Sequence, residues 1–248
     1  MIEILIEENR LAMGAAAAKR SGEVLRQAIA TRGEARIIVA TGSSQFEVLD
    51  ALVREPGIDW SRVDGFHLDE YVGLPATHPA SFCGYLKQRW VDRVPLRSFC
   101  YLEGMRDPAE VCREAAAAVQ AKPIDVAMIG IGENGHLAFN DPPADFETRA
   151  AYHVVQLDEA CRRQQVGEGW FAGLDAVPTH AISMTIRQIL AAKHIFCSVP
   201  DERKANAVAA AVQGPLTPLL PASILRTHPA TVLLLDRAAA SLLKGPSS

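Results

Sequence analysis

Short apolar runs alternate with longer helical patterns along the whole chain. The runs are rich in Ile, Val and Leu, as are strands that are buried on both faces of a parallel sheet. They cover residues 37–40, 63–67, 124–130, 195–199 and 231–235, and a first strand candidate covers residues 2–6. We predict a β-strand at each of these places.

Alanine-rich segments of helix length lie between the runs, at residues 11–30, 108–120 and 202–212. Helices with few bulky residues pack closely on a sheet while their charged residues face water. This alternation predicts an α/β fold built on a doubly wound, mostly parallel sheet. Because it resumes after each Pro- and Gly-rich loop (73–79, 140–143 and 214–221), we expect one domain over residues 1–248.

Composition and charge exclude several classes of protein. Apolar residues make up 49% of the chain and charged residues 22%, which is a globular balance and not that of a disordered chain. The 25 basic and 29 acidic residues give a formal net charge of −4, so no nucleic-acid partner is expected. No apolar run approaches the ~20 residues that cross a membrane, and the N-terminus lacks the pattern of a signal peptide.

Five cysteines are scattered along the chain without any Cys-x-x-Cys pair. The odd number and wide spacing are typical of reduced thiols, and not of a disulfide scaffold or a zinc site. We therefore expect a cytoplasmic protein in which most of the thiols are buried. The cysteines are Cys83, Cys100, Cys112, Cys161 and Cys197.

Ligands of doubly wound sheets bind beyond the carboxyl ends of the strands, so the residues that follow each apolar run are candidates for the site. Thr41, Gly42, Ser43 and Ser44 follow the run at 37–40. Glycine permits close approach of the backbone, the hydroxyl groups offer donors, and the next helix directs free N–H groups toward an anion. The segment fits a phosphate; a plain turn with a serine N-cap is the alternative.

Two adjacent acids, Asp69 and Glu70, follow the run at 63–67. A carboxylate at a strand end can act as a general base, whereas most acids in loops are simply solvated. Lys204 lies where the run at 195–199 passes into a helix. A lysine in the first turn opposes the helix dipole, which favours an anion beside it; an exposed lysine paired with Asp201 is the alternative.

The segment 130–142 carries the most candidate chemistry. Its glycines allow a tight turn over a ligand, and His136 brings an imidazole, the side chain that most often serves as a general acid or base. Asn134, His136 and Asp141 could form a short relay in which the carboxylate orients the imidazole. The glycine spacing is not that of a dinucleotide site, because residues 139–142 interrupt the helix that such a motif opens. A structural loop with a surface histidine is the alternative.

Together these loops resemble those of the glucosamine-6-phosphate deaminase (isomerase) family, within a larger group that includes 6-phosphogluconolactonases. The similarity spans residues 37–236, and its most specific parts are Leu68-Asp69-Glu70-Tyr71-Val72-Gly73-Leu74 and Asn134-Gly135-His136 with Ala138-Phe139-Asn140. The resemblance implies a Rossmann-like fold with helices on both faces of the sheet. It also implies conversion of an amino-sugar phosphate to a keto-sugar phosphate plus ammonia, with no metal or organic cofactor. Whether copies of the chain form a homo-oligomer stays open.

By this resemblance, Asp69 is the base that moves a proton between C2 and C1 of the opened sugar, and His136 helps to open the pyranose ring. Asn134 and Asp141 occupy the positions of the two acids that support the histidine. The residues expected to bind substrate are Thr41, Gly42, Ser43, Ser44, Glu70, Gly132, Gly135 and Lys204.

Three positions depart from the family pattern. Asn134 stands where well-known members have Asp, and it cannot take up a proton at neutral pH; Asp141 stands where they have Glu. A gapless alignment places Gly167 where the family has a phosphate-binding arginine, with Arg162 and Arg163 nearby as candidate substitutes.

The expected function is therefore deamination of a hexosamine 6-phosphate, glucosamine 6-phosphate to fructose 6-phosphate plus ammonia. A 6-phosphogluconolactonase is the second candidate, although it is not expected to carry the sequences at 69–74 and 138–142. A non-catalytic sugar-phosphate sensor ranks third. Such a sensor needs a DNA-binding module, and the strand at 2–6 leaves no room ahead of it.

Overall fold

Seven parallel strands form the central sheet of the computed structural model, which describes residues 2–244. All six predicted strands and the predicted fold class are confirmed; within this sheet, the short edge strand β5 is the one that has no counterpart among the predictions. In their order across the sheet, the strands are β1 (Glu3–Glu7), β10 (Thr231–Asp236), β9 (His194–Val199), β6 (Val126–Ile129), β2 (Ala35–Val39), β3 (Val63–His67) and β5 (Ser98–Cys100).

Helices cover both faces of this sheet. Alternate residues of β2 show the division, because Ile37 and Val39 belong to one apolar core and Ile38 to the other. Side chains of α1 (Arg10–Arg32), α2 (Phe46–Leu52) and α3 (Phe82–Arg89) pack in the first core. Side chains of α4 (Pro108–Gln120), α6 (Ile186–Leu190) and α7 (Ala205–Gln213) pack in the second.

The alanine-rich composition of α1 has a direct packing reason. The helix begins at Asn9, whose side chain accepts a hydrogen bond from the Ala12 N–H, and ends at Gly33, which has a φ of 79°. It lies so close to α2 that a Cβ on Gly14 would stand 2.7 Å from the carbonyl carbon of Glu47. Only small residues let two helices approach to this distance.

A second sheet, of three antiparallel strands, was not predicted. It consists of β4 (Asp69–Tyr71), β8 (His180–Met184) and β7 (Tyr152–Gln156), in that order. Strand β4 begins two residues after β3 ends, so the chain passes from the large sheet into the small one at Leu68. Asp69 therefore stands at the junction of the two sheets, paired in register with Ser183.

The predicted helices and the predicted state of the cysteines agree with the structure. The helix predicted at 202–212 begins as a 3₁₀ turn, Glu202–Lys204, and continues as α7. Cys83, Cys161 and Cys197 are buried, and all five cysteines are free. Within residues 2–244, no helix has both the length and the apolar character that a membrane span requires.

Candidate active site

An open cleft lies at the carboxyl ends of four adjacent strands, β9, β6, β2 and β3. This is where a doubly wound sheet binds its ligands. The structure brings eight of the twelve predicted site residues to this cleft: Thr41, Gly42, Ser43, Ser44, Asp69, Gly132, His136 and Lys204.

The loop after β2 forms one end of the cleft. Gly42 has a φ of 90°, a conformation that glycine adopts without strain. The hydroxyl of Tyr85 donates to the Gly42 carbonyl at 3.1 Å, and the guanidinium of Arg10 donates to the Ser43 carbonyl at 2.7 Å. These two contacts fix the backbone of the loop, whose serine and threonine hydroxyl groups remain at the cleft.

Lys204 is the cation of this end of the cleft. Its side chain is buried, and its Nζ lies 4.0 Å from a carboxylate oxygen of Glu133. Asp201, the alternative partner considered from the sequence, instead pairs with Arg203 at 3.0 Å. Burial lowers the pKa of Lys204, and the carboxylates of Glu168 and Glu133 oppose that change. A desolvated ammonium of this kind gains more than an exposed one from an anionic ligand.

Asp69 is a buried carboxyl that faces the cleft. It is 7% exposed, and its Oδ1 has no hydrogen-bond partner among the described residues. Burial raises the pKa of Asp69 to about 8, and the charge of the adjacent Glu70 adds to the rise. A carboxyl with such a pKa can both take up and return a proton near neutral pH.

Glu70 does not line the cleft, which corrects its expected role in substrate binding. Its carboxylate accepts hydrogen bonds from the backbone N–H groups of Tyr71, Phe82 and Cys83 and from the Ser81 hydroxyl, at 2.7 to 3.2 Å. The last three donors belong to the start of α3, where free N–H groups favour a negative charge. Glu70 thus anchors α3 to the strand that carries Asp69.

His136, Asn134 and Asp141 lie together beside the cleft. Nδ1 of His136 is 3.1 Å from Oδ1 of Asp141, and the Asn134 amide donates to the same oxygen at 3.0 Å. Burial raises the pKa of Asp141, but the contacts with His136 and Asn134 outweigh it and hold that pKa below its usual value. Asp141 is therefore an anion at neutral pH.

Two glycines of this loop have different roles. The imidazole of His136 covers Gly132, where a Cβ would stand 2.3 Å from the ring. Gly135, with a φ of 85°, packs instead against Leu220 and accepts a hydrogen bond from Ala222, so it shapes the turn without reaching the cleft. Asn134 likewise lines a neighbouring surface hollow and acts on the cleft through His136.

Helix α5 (Glu159–Gly167) contributes residues that the sequence did not single out. Gln164 and Gln165 line the cleft, and so does Glu168, which follows the helix. The amide of Gln164 donates to Glu168 at 2.8 Å. The spacing of four residues between Gln164 and Glu168 is the only sequence signal for this pair. The same spacing is typical of many surface helices.

Neither candidate substitute for the family arginine reaches the cleft, which corrects that expectation. The guanidinium of Arg162 donates to the carbonyls of Leu174 and Val177, while Arg163 pairs with Glu159 on the surface. Of the Lys and Arg side chains described, Lys204 is the one that lines the cleft.

A sequence model of the family described as glucosamine-6-phosphate isomerases/6-phosphogluconolactonase matches residues 8–234. The chain belongs to this family. It is 35% identical over 244 residues to the glucosamine-6-phosphate deaminase of Streptococcus pneumoniae (strain 70585), a match that covers 98% of this chain and 100% of the relative.

Solved structures of the family agree with the fold. A monomeric glucosamine-6-phosphate deaminase superposes with a TM-score of 0.88 at 28% identity, covering 97% of this chain and 100% of that one. The 6-phosphogluconolactonase of Thermotoga maritima superposes with a TM-score of 0.78 at 14% identity, covering 95% of this chain and 100% of that one. The second likeness concerns the fold alone.

We expect inorganic phosphate to raise the Tm of the protein, because a ligand that binds only the native state stabilises it. Lys204→Ala should lose most of this rise, measured by differential scanning fluorimetry against the Tm of each variant without phosphate. Lys87→Ala is the matched control, since this lysine pairs with Asp92 on the surface and lies outside the cleft. An equal rise for Lys204→Ala would remove Lys204 from the anion site.

Proposed function

We propose that the chain deaminates a hexosamine 6-phosphate, with glucosamine 6-phosphate as the expected substrate and fructose 6-phosphate and ammonia as products. The observation that carries this proposal is the buried carboxyl of Asp69, which faces the same cleft as a histidine and an anion loop. The relatives at 35% identity that are named glucosamine-6-phosphate deaminase support it.

The phosphate would lie on residues 41–44 and Lys204, at one end of the cleft. The sugar would then extend toward His136 and Asp69, which line the same cleft. His136 opens the pyranose ring by moving a proton between the C1 hydroxyl and the ring oxygen. Asp141 stays anionic and stabilises the imidazolium form during this transfer.

Asp69 then acts on the open chain. Its carboxylate removes the proton from C2 while O1 takes up a proton from the C2 ammonium group, which gives an enolamine. The Asp69 carboxyl then returns its proton to C1. The C2 imine that results adds water and loses ammonia, which leaves the ketone. The raised pKa of Asp69 suits both halves of this transfer, because a base must be strong enough to accept the proton and weak enough to release it.

The relay of Asn134, His136 and Asp141 has one group fewer that can take up a proton than the family pattern, in which an acid stands at position 134. Asn134 donates its amide hydrogen to Asp141 and accepts from the His136 backbone, so both of its polar groups are engaged. An amide cannot act as a general acid or base at neutral pH. We infer that Asn134 orients the carboxylate, and that Asp141 remains the anion beside the imidazole of His136, which carries the mobile proton.

A phosphorylated sugar as substrate, together with five free cysteines, supports a location in the cytoplasm. The net charge of −4 gives no reason to add a nucleic acid or a membrane surface to the partners. We propose residues 1–248 as one sugar-phosphate isomerase/deaminase domain.

Two assays on the purified protein test the function. We expect ammonia release from glucosamine 6-phosphate, and we expect 6-phosphogluconolactone to hydrolyse no faster than it does in buffer. Galactosamine and mannosamine 6-phosphates belong in the same panel because they separate the epimers. Lactone hydrolysis without ammonia release from any amino sugar would favour the lactonase alternative.

Asp69→Asn should reduce kcat by about 10²–10⁴-fold, the usual contribution of a positioned base, because the amide keeps the shape and removes the basicity. The same change should raise the Tm at pH 8. A carboxyl whose folded pKa is raised makes the protein less stable as the pH rises from its unfolded pKa toward its folded pKa, and Asn does not ionise. Full deaminase activity in this variant would contradict the assignment of the base.

The pH profile tests the environment of Asp69. Because the base acts as its anion and its pKa is raised to about 8, kcat/KM should fall on the acid side with a midpoint near that value. Initial rates between pH 5 and about 9.5 would show the limb. The residual activity of Asp69→Asn is the control and should lack it. A wild-type kcat/KM that does not fall between the alkaline end of this range and pH 5 would mean that burial does not perturb the pKa of this carboxyl.

A further inference from the structure

Cys161 lies next to the histidine relay. It is the third residue of α5 and is 1% exposed. Its Sγ, a ring nitrogen of His136 and a carboxylate oxygen of Asp141 all lie within 4.8 Å of one another. The helix thus brings a thiol to two groups that come from the loop after β6.

The three groups have the chemistry of a zinc site. Imidazole nitrogen, carboxylate oxygen and thiolate sulfur are the three ligand types that Zn²⁺ takes in proteins, at about 2.0–2.3 Å. Nδ1 of His136 and Oδ1 of Asp141 are 3.1 Å apart, which suits two neighbouring ligands of a tetrahedral ion.

The unused lone pairs support the same interpretation. His136 Nδ1 and Asp141 Oδ2 are buried, and neither has a well-aligned hydrogen-bond partner among the described residues. The 3.1 Å contact between Nδ1 and Oδ1 is thus close in distance but not in the direction of a normal hydrogen bond. Because His136 also lines the cleft, an ion can arrive from solvent and keep a water as its fourth ligand.

We propose that His136, Asp141 and Cys161 form an inhibitory site for a thiophilic divalent cation, with Zn²⁺ as the type ion. Binding deprotonates the Cys161 thiol and releases that proton to solvent, so metal affinity should rise with pH. Inhibition rests on the proposed function, since the metal would occupy the imidazole that opens the sugar ring. Metal binding itself does not depend on that function.

This site differs from the kind that the sequence excluded. A Cys-x-x-Cys pair is recognised in a sequence by its spacing. The three ligands proposed here are separated by 5 and 20 residues and come from two elements. Among the described residues, His136, Asp141 and Cys161 are the group of three whose potential ligand atoms all lie within 4.8 Å of one another.

Binding is tested on the full chain with Co²⁺ as a spectroscopic probe and Zn²⁺ in competition with a chromophoric chelator. We expect one ion per chain, with a thiolate-to-cobalt charge-transfer band and the visible bands of a tetrahedral ion. Cys161→Ser should lose the charge-transfer band. It should also weaken Zn²⁺ affinity by more than about 100-fold, because removing even an outer partner of a ligand costs about 10–100-fold.

Cys112→Ser is the matched control, since this half-buried cysteine of α4 lies outside the cluster, and it should bind Zn²⁺ like the wild type. Asp141→Asn removes a different ligand and should also weaken binding, which covers the case that Cys161→Ser fails to fold. Equal Zn²⁺ affinity in the wild type and in a folded Cys161→Ser or Asp141→Asn variant would overturn the site.

Activity gives the second readout. Zn²⁺ should inhibit ammonia release by the wild type and by Cys112→Ser, with recovery on addition of a chelator, and should inhibit Cys161→Ser far less relative to its own metal-free rate. A protein that binds the metal as described but releases no ammonia would contradict the proposed function and leave the metal site standing. A protein that releases ammonia but shows no cobalt–thiolate band would contradict the metal site and leave the proposed function standing.

Discussion

Glu70 is a fully buried carboxylate that holds two parts of the structure together. An ionised group out of contact with water is costly unless hydrogen bonds replace its hydration, and Glu70 has four such bonds, three of them from the start of α3. This arrangement fixes α3 against β4, and β4 begins at Asp69. The position of the candidate base Asp69 therefore depends on Glu70, which does not line the cleft.

The small antiparallel sheet extends this constraint to the rest of the site. The Ser183 hydroxyl, on the strand paired with β4, accepts hydrogen bonds from the Phe139 backbone and the Asn140 side chain. Those two residues follow His136 in the same loop. Asp69 follows β3 and His136 follows β6, and β2 lies between these two strands in the large sheet. The small sheet fixes the loops between which a sugar would lie.

Sequence reasoning succeeded where one physical signal decides the outcome. Buried parallel strands such as β2 and β10 are continuous apolar runs, and their carboxyl ends locate the cleft without any knowledge of packing. The apolar pattern does not predict β4, because this strand has three residues and two of them are acidic. For the same reason the residue pattern alone does not separate Asp69 from Glu70, although the family resemblance assigns the base to Asp69. Adjacent strand residues point to opposite faces, and the fold shows which carboxyl faces the cleft. Gln164 and Glu168 were missed because polar residues on a helix usually face water.

The burial of Asp69 also has a consequence for discrimination between sugars. An amino sugar brings a positive charge at C2, the atom from which Asp69 would take the proton, and a nearby cation favours the ionised form of a carboxyl. A hexose phosphate without that nitrogen brings no such charge, and it would meet a carboxyl that still holds its proton. The amino group of the substrate would then favour ionisation of the base that acts on it. A sugar phosphate of nearly the same shape without that group would bind without reacting.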